Sequence, residues 1–238
     1  MTPNNSSTSE PNPLSQGALS AYPQPPDLVV ERTLASTRIY SGHFLNINRD
    51  TVVLPDGRET IREFIVHPGA SMVIPMRSDG AVLIEQQFRY PFQRHFIEFP
   101  AGKLDAGEPP LACAKRELLE ETGFIAADHD WHYLTSIHNA IAYADEVIHL
   151  YLALNVTDTG QAAPEGSEVW MHTQWVQPRD LMAWIRARQV TDVKTLIAAF
   201  WLDKVLKQEW DLKPQKATDA TQAIQDTPVA DQAGLKMP

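Results

Sequence analysis

Six consecutive residues, Arg116-Glu117-Leu118-Leu119-Glu120-Glu121, carry three carboxylates and a guanidinium. On a helix, Glu117, Glu120 and Glu121 stand at i, i+3 and i+4, so all three project from one face. Like charges so placed repel by a few tenths of a kcal/mol per pair. Taken alone, the triad is explained by a solvated acidic face with Lys115 and Arg116 as partners. The alternative is a hard-cation site. Mg²⁺ takes oxygen ligands, usually a few carboxylates completed by phosphate oxygens and water. Other chemistry is poorly supplied. Cys113, the single cysteine, has no positioned base in its surroundings and reads as core, as do Leu118 and Leu119. His138 and His149 have no partner at metal-ligand spacing.

A helix must carry this triad, and the sequence supplies one. From Pro109 to Thr122, Leu111, Ala114, Leu118 and Leu119 recur at helical spacing. Pro109 and Pro110 suit its start, and Gly123 suits its C-terminal stop. Strands precede it. Thr37–Asn48 surrounds a Ser41-Gly42 turn, and Asp50–Leu54 runs into Pro55-Asp56-Gly57. Thr60–His67 alternates Ile61, Glu63 and Ile65. Ser71–Met76 and Ala81–Phe88 flank Ser78-Asp79-Gly80, which reads as a β-hairpin loop. His95–Phe99 leads into Pro100-Ala101-Gly102. After the helix, strands are expected at Trp131–Ser136, Val147–Leu154 and Trp170–Val176, then helices at Pro178–Arg186 and Asp192–Val205. The pattern predicts an α/β domain, a mixed sheet with helices on its faces.

The chain has 238 residues, with 20 Lys+Arg against 30 Asp+Glu and a formal charge of −10. That balance argues against nucleic-acid binding, which needs cations facing phosphates. No run approaches the ~18 apolar residues of a membrane span, and no secretory leader is evident. A cytoplasmic protein is the expectation. Residues 1–28 are rich in Pro, Ser and Asn, and 211–238 lack aromatic residues. Both are expected to be disordered, since neither buries enough apolar surface to offset ordering entropy. The span 29–210 suits one domain.

Read from Gly102, the segment is Gly102-x5-Glu108-x7-Arg116-Glu117-Leu118-x-Glu120-Glu121-x-Gly123-Phe124. It is similar at every specified position to the signature box of the Nudix hydrolases. The resemblance implies an α/β/α sandwich with a loop–helix–loop metal site, preceded by N-terminal antiparallel strands. It implies Mg²⁺- or Mn²⁺-dependent hydrolysis of a nucleoside diphosphate linked to another group. Glu117, Glu120, Glu121 and the Ala101 carbonyl would be the metal ligands. Arg116 would pair with a box glutamate and hold the carboxylates in place. Glu108 would order the loop before the helix, and Gly102 would supply a tight turn.

Upstream, His67-Pro68-Gly69-Ala70, Glu85-Gln86-Gln87-Phe88-Arg89-Tyr90-Pro91 and Glu98-Phe99-Pro100-Ala101-Gly102-Lys103 resemble the ADP-ribose pyrophosphatase branch. There the arginine matching Arg89 contacts the diphosphate, and the glutamate matching Glu98 lies near the substrate cleft. On residues alone, the lesser reading of Arg89 is a surface ion pair at a strand end, and Glu98 reads nearly as well as an edge-strand charge. Many members carry a proline about sixteen residues past the box. Here that stretch, Ile137–Glu146, has none, and Tyr143 stands nearby as a base-stacking or simply packed aromatic. The branch also forms homodimers through its N-terminal strands, which would bring Tyr40 or Phe44 to the base. The general base in this branch lies on a late loop. Glu168 and then Glu165, within Ala163–Trp170, are the candidates, and Glu146 comes after them.

ADP-ribose or a related nucleoside diphosphate sugar is the expected substrate, giving a nucleoside monophosphate and a sugar phosphate. NADH, GDP-mannose and dinucleoside polyphosphates stand beside it, because the box does not encode base or sugar contacts. A non-catalytic nucleotide sensor is the reading from another class, but the box is intact and neither extension carries a basic helix. RNA decapping fits poorly with the acidic charge.

Overall fold

The computed structural model describes residues 30–162 and 171–212. The segments expected to be disordered lie outside the described residues, except for Asp211 and Leu212. In chain order the strands are β1 (Arg32–Ser41), β2 (Asn46–Val53), β3 (Glu59–Val66), β4 (Ala70–Pro75), β5 (Val82–Arg89) and β6 (Arg94–Glu98). There follow β7 (Ala101–Lys103), β8 (Phe124–Ile125), β9 (Trp131–His138), β10 (Val147–Ala153), β11 (Thr157–Asp158) and β12 (His172–Val176). The helices are α1 (Pro110–Thr122), α2 (Pro178–Arg186) and α3 (Val193–Leu206). Two compact units are distinguished, one of residues up to Ser36 with Asp50–Arg62, the other of Thr37–Arg49 with the residues from Glu63 on. β1, β2 and β3 form an antiparallel sheet in that order.

The larger unit is built on β4 and β10, whose residues are all buried. They pair in parallel, while β9 and β7 flank them antiparallel, giving the order β7-β4-β10-β9. The sheet is mixed, as expected. A second sheet has the order β12-β5-β6. This corrects the expectation of a β4–β5 hairpin. The Ser78-Asp79-Gly80 turn is present, with Gly80 N–H donating to the Arg77 carbonyl at 2.9 Å. Beyond a single Met76–Val82 bridge, however, its two strands part into different sheets. β5 is then free to pair with β6 and β12 on its two edges.

Period-two alternation divides the core. Met72 and Ile74 of β4 and Leu150 and Leu152 of β10 pack with Val82 and Ile84 of β5 and with Leu181, Ala198 and Leu202 of α2 and α3. Val73, Tyr151 and Ala153 point to the other face and meet Ala114 and Leu118 of α1. The layering is therefore helix, sheets, helices. α1 begins on Pro110, whose missing N–H would have had no helical partner. It ends at Gly123, in the left-handed conformation at φ 75°, with its N–H on the Leu119 carbonyl at 2.8 Å. Among the described residues, no helix is long and apolar enough to cross a membrane.

Leu118 is fully buried, whereas Leu119, also expected in the core, is only half-buried. One turn carries both, but only position 118 points at the sheet. Leu118→Ala is expected to destabilise the protein by about 2–5 kcal/mol through cavity formation, and Leu119→Ala by less than half as much. Urea unfolding of both variants checks this, and equal losses would contradict the assigned helix face.

Candidate active site

The acidic face of α1 divides by burial. Glu117 and Glu121, one turn apart, are each 7% exposed, whereas the Glu120 side chain is 45% exposed. Arg116 holds Glu117 and Glu120. Its Nε and Nη2 donate to the two oxygens of Glu108 at 2.9 and 2.8 Å. Nη1 donates to Glu117 at 2.8 Å and to Glu120 at 3.0 Å, and Nη2 also reaches the Lys103 carbonyl at 3.1 Å. These hydrogen bonds hold the Glu108 carboxyl down at about 2. They raise the guanidinium further above its ordinary value. Glu108 accepts from the Asp105 N–H at 3.0 Å, so it closes the loop before the helix. Burial pushes the Cys113 thiol up to about 12, which leaves it a packed, un-ionised group.

Glu117 and Glu121 line a cleft of about 680 Å³, with Ala101, Gly102, Lys103 and Arg116. The donor chemistry fits a hard divalent cation, which prefers carboxylate and carbonyl oxygen. So does the backbone: a Cβ on Gly102 would fall inside the Glu117 carboxylate. Glycine is required there by close approach. Glu121 accepts from the Ala101 N–H at 3.2 Å, which ties the helix to β7. Among the described residues no three carboxylates, imidazoles or thiols already converge on one point. Arg116 draws oxygens of Glu117 and Glu120 towards itself, so a cation held here would share these carboxylates with the guanidinium. Such a site can take further oxygens from phosphate and water.

A second charged group lines the same cleft. Arg89, at the end of β5, grips Glu98 of β6 with both arms of its fork, at 2.8 and 2.6 Å. Glu98 is only 2% exposed. It also accepts from Lys194 of α3, which donates in turn to Asp192 at 3.0 Å. Asp192 caps α3, accepting from the Thr195 N–H at 3.0 Å and its hydroxyl at 2.7 Å. Burial alone would raise the Glu98 carboxyl, but the Arg89 hydrogen bonds and the Lys194 charge outweigh it and bring it below the usual carboxylate range. Arg89 is an ion pair, as its simpler reading held, but its partner is a buried carboxylate on the cleft wall.

A third group combines Phe44, His67, Asn139 and Glu146. His67 Nδ1 accepts from the Gly69 N–H at 3.1 Å, and Nε2 lies 3.6 Å from Glu146. Burial lowers the imidazole below its ordinary value despite that carboxylate. Asn139 donates to the other Glu146 oxygen at 3.1 Å. Phe44 meets His67 edge-on and carries the Lys103 ammonium 4.5 Å from its ring centre.

Of the residues singled out from the sequence, Arg89, Glu98, Ala101, Arg116, Glu117 and Glu121 line one cleft. Glu120 is tied to them through Arg116. Tyr40 and Tyr143 are exposed, at 54% and 60%, and are not among the lining residues. Glu165 and Glu168 lie outside the described residues. Sequence reasoning missed Lys194 and the lining aromatics Phe92 and Phe96, and gave His67 no role beyond its place in a motif. The only local signal for Lys194 was its place two residues past a capping aspartate, since its partner Glu98 is 96 positions away.

Comparison with known proteins bears on this geometry. Residues 66–196 match the model of the NUDIX domain, and residues 31–65 that of the nucleoside diphosphate sugar hydrolase N-terminal domain. A protein of Bacillus subtilis (strain 168) named ADP-ribose pyrophosphatase is 33% identical over 172 residues, covering 72% of this chain and 92% of its own. A Bacillus methanolicus protein named methanol dehydrogenase activator is 34% identical over 175 residues, covering 74% and 94%. A crystal structure titled as an ADP compounds hydrolase shares the fold with a TM-score of 0.65 at 19% identity, covering 75% of this chain and 95% of that one. With the box residues on one helix and loop and the family model matching more than half its length, the chain belongs to the Nudix family.

Proposed function

We propose that this protein hydrolyses the diphosphate bond of ADP-ribose or a related nucleoside diphosphate sugar, with Mg²⁺ as its metal and Mn²⁺ as a substitute. The observation that carries this reading is that one cleft holds both the buried box carboxylates and the Arg89 guanidinium. The family match over residues 31–65 and the relative named ADP-ribose pyrophosphatase point to the same substrate class.

In the reaction, water attacks one phosphorus and the bridging P–O bond breaks. The products are a nucleoside monophosphate and a sugar phosphate. A divalent cation held by Glu117, Glu120, Glu121 and the Ala101 carbonyl would neutralise the diphosphate and lower the pKa of the attacking water. Arg116 orients the carboxylates and keeps their mutual repulsion from splaying them. Arg89 spends two of its five N–H bonds on Glu98 and presents the rest to phosphate oxygens. Phe44 offers a ring face to the base. A cytoplasmic setting goes with such a substrate.

The direct test is turnover of ADP-ribose, ADP-glucose, GDP-mannose, NADH and a dinucleoside polyphosphate by the full chain with Mg²⁺. Highest kcat/KM is expected for ADP-ribose, with AMP and ribose 5-phosphate formed. Glu120→Gln and Glu121→Gln should each lose most of the activity at limiting Mg²⁺ and melt no lower than the parent without metal, since one repelling charge is gone. Turnover within twofold in both variants would defeat the metal assignment.

The box carboxylates are committed to metal, so the proton of the attacking water needs another acceptor. Glu168 is proposed first and Glu165 second. Replacing the acceptor with Gln should lower kcat by ~10²–10⁴ with KM little changed, and the other glutamate should tolerate the change. If both variants keep kcat within about threefold, Glu146 becomes the candidate, already on the cleft wall and held by Asn139 and His67.

A homodimer built through the N-terminal strands is also part of the proposal. Every residue of β1 is exposed, including Leu34, Ile39 and Tyr40, a surface suited to a second copy. Light scattering at micromolar concentration is expected to give twice the chain mass. A fully active monomer would remove the idea.

A further inference from the structure

Lys194 lines the cleft and has no task in the proposed reaction. It lies on α3, far in sequence from the box and from Arg89. Its side chain is 12% exposed, and its ammonium joins the most buried carboxylate of the cleft wall, Glu98, to the helix cap Asp192. Glu98 shares its Oε2 between Lys194 and Nη2 of Arg89. The position of one cation therefore constrains the other.

The surroundings make this more than packing. Glu85 stands directly across from Glu98 in the β5–β6 pairing and is also buried. Glu85, Glu98 and Asp192 all act electrostatically on Arg89. Among the described residues, Lys194 pairs with two of these carboxylates, Glu98 and Asp192, and Arg89 with Glu98. Without Lys194, Glu98 and Asp192 would each lose an ion-pair partner, in surroundings where charge is poorly screened. The Arg89 fork would then hold Glu98 without the second cation on its Oε2, and the cleft would present more negative charge to an incoming anion. We infer that Lys194 is a positioning residue for anion binding: through Glu98 it sets the placement of the Arg89 fork and offsets the acidic wall, so that Arg89 can receive the diphosphate.

This rests on the proposed function for the identity of the substrate but not for the anion itself. The asymmetry of the group supports the assignment. Arg89 is 41% exposed on its side chain and reaches solvent, whereas Lys194 is mostly covered and directed at Glu98. Lys194 is therefore arranged to act through the carboxylate rather than as the main anion contact. Asp192 fixes it from the other side and is itself fixed as the cap of α3, so the lysine is anchored to a rigid element.

The test compares Lys194→Met, Lys194→Arg and the control Lys204→Met, whose ammonium pairs with Glu209 on the outer part of the same helix region. KM for ADP-ribose should rise roughly tenfold in Lys194→Met, about one charge-assisted hydrogen bond's worth. Its kcat should stay within about threefold, since ground state and transition state lose the same contact. Lys194→Arg should recover most of the loss, and Lys204→Met should match the parent. Binding of inorganic pyrophosphate with Mg²⁺, by calorimetry, should weaken by the same factor in Lys194→Met. If Lys194→Met does not fold by circular dichroism, Lys194→Gln takes its place in both measurements. An unchanged KM and pyrophosphate affinity, or a fall in kcat alone, would overturn the inference. If the parent protein turns over no nucleoside diphosphate sugar, the proposed function fails, while the pyrophosphate comparison still decides the role of the lysine.

Discussion

A single guanidinium sets the geometry of the acidic face. Arg116 donates to Glu108, Glu117, Glu120 and the Lys103 carbonyl at once. Those groups come from the loop before α1, from α1 itself and from β7. Without such a hub the like charges would repel along the helix, and the loop would have no fixed end. The cost of bringing Glu117 and Glu121 to 7% exposure is offset because Arg116 donates to Glu117 and the Ala101 N–H donates to Glu121. Gly102 completes the arrangement by leaving out the one carbon that would collide with Glu117.

The scaffold places this hub with few degrees of freedom. β4 and β10 are buried on both faces, and their alternate residues serve two different cores. Leu118 and Ala114 lock α1 to one face, so the carboxylates cannot rotate away from the cleft without breaking that packing. On the other side, α3 is capped by Asp192, and that cap also anchors Lys194. The cleft is thus bordered by two charge networks, one centred on Arg116 and one on Glu98. Each contains carboxylates that by themselves would repel an anionic substrate. In both, cations offset part of the acid and leave selected groups turned to the cleft. That design suits a substrate arriving with divalent metal better than one arriving alone.

Much of this was legible in the residues. The spacing of Leu111, Ala114 and Leu118 gives the helix and its buried face, because a 3.6-residue period leaves little choice. Pro110 and Gly123 mark its ends for reasons of backbone geometry alone. Glu117, Glu120 and Glu121 share a face by the same arithmetic, and the fixed pattern from Gly102 to Phe124 identifies the family. Most strands fall where alternation and turn residues put them.

Tertiary structure decided the rest. The turn at Ser78-Asp79-Gly80 is local, but whether its strands stay paired depends on which partners β5 finds elsewhere, and those are β6 and β12. Burial separates Leu118 from Leu119, and Glu117 and Glu121 from Glu120, because the sheet covers only part of the helix circumference. The Glu98–Lys194 contact spans 96 positions and has no local signature. Sequence periodicity reports which face of an element is apolar. It does not report which distant charge will meet a buried carboxylate, since that depends on how the elements pack. The sequence by itself therefore determined the acidic helix and its family, and the packing of β5, β6 and α3 decided how Arg89 is held.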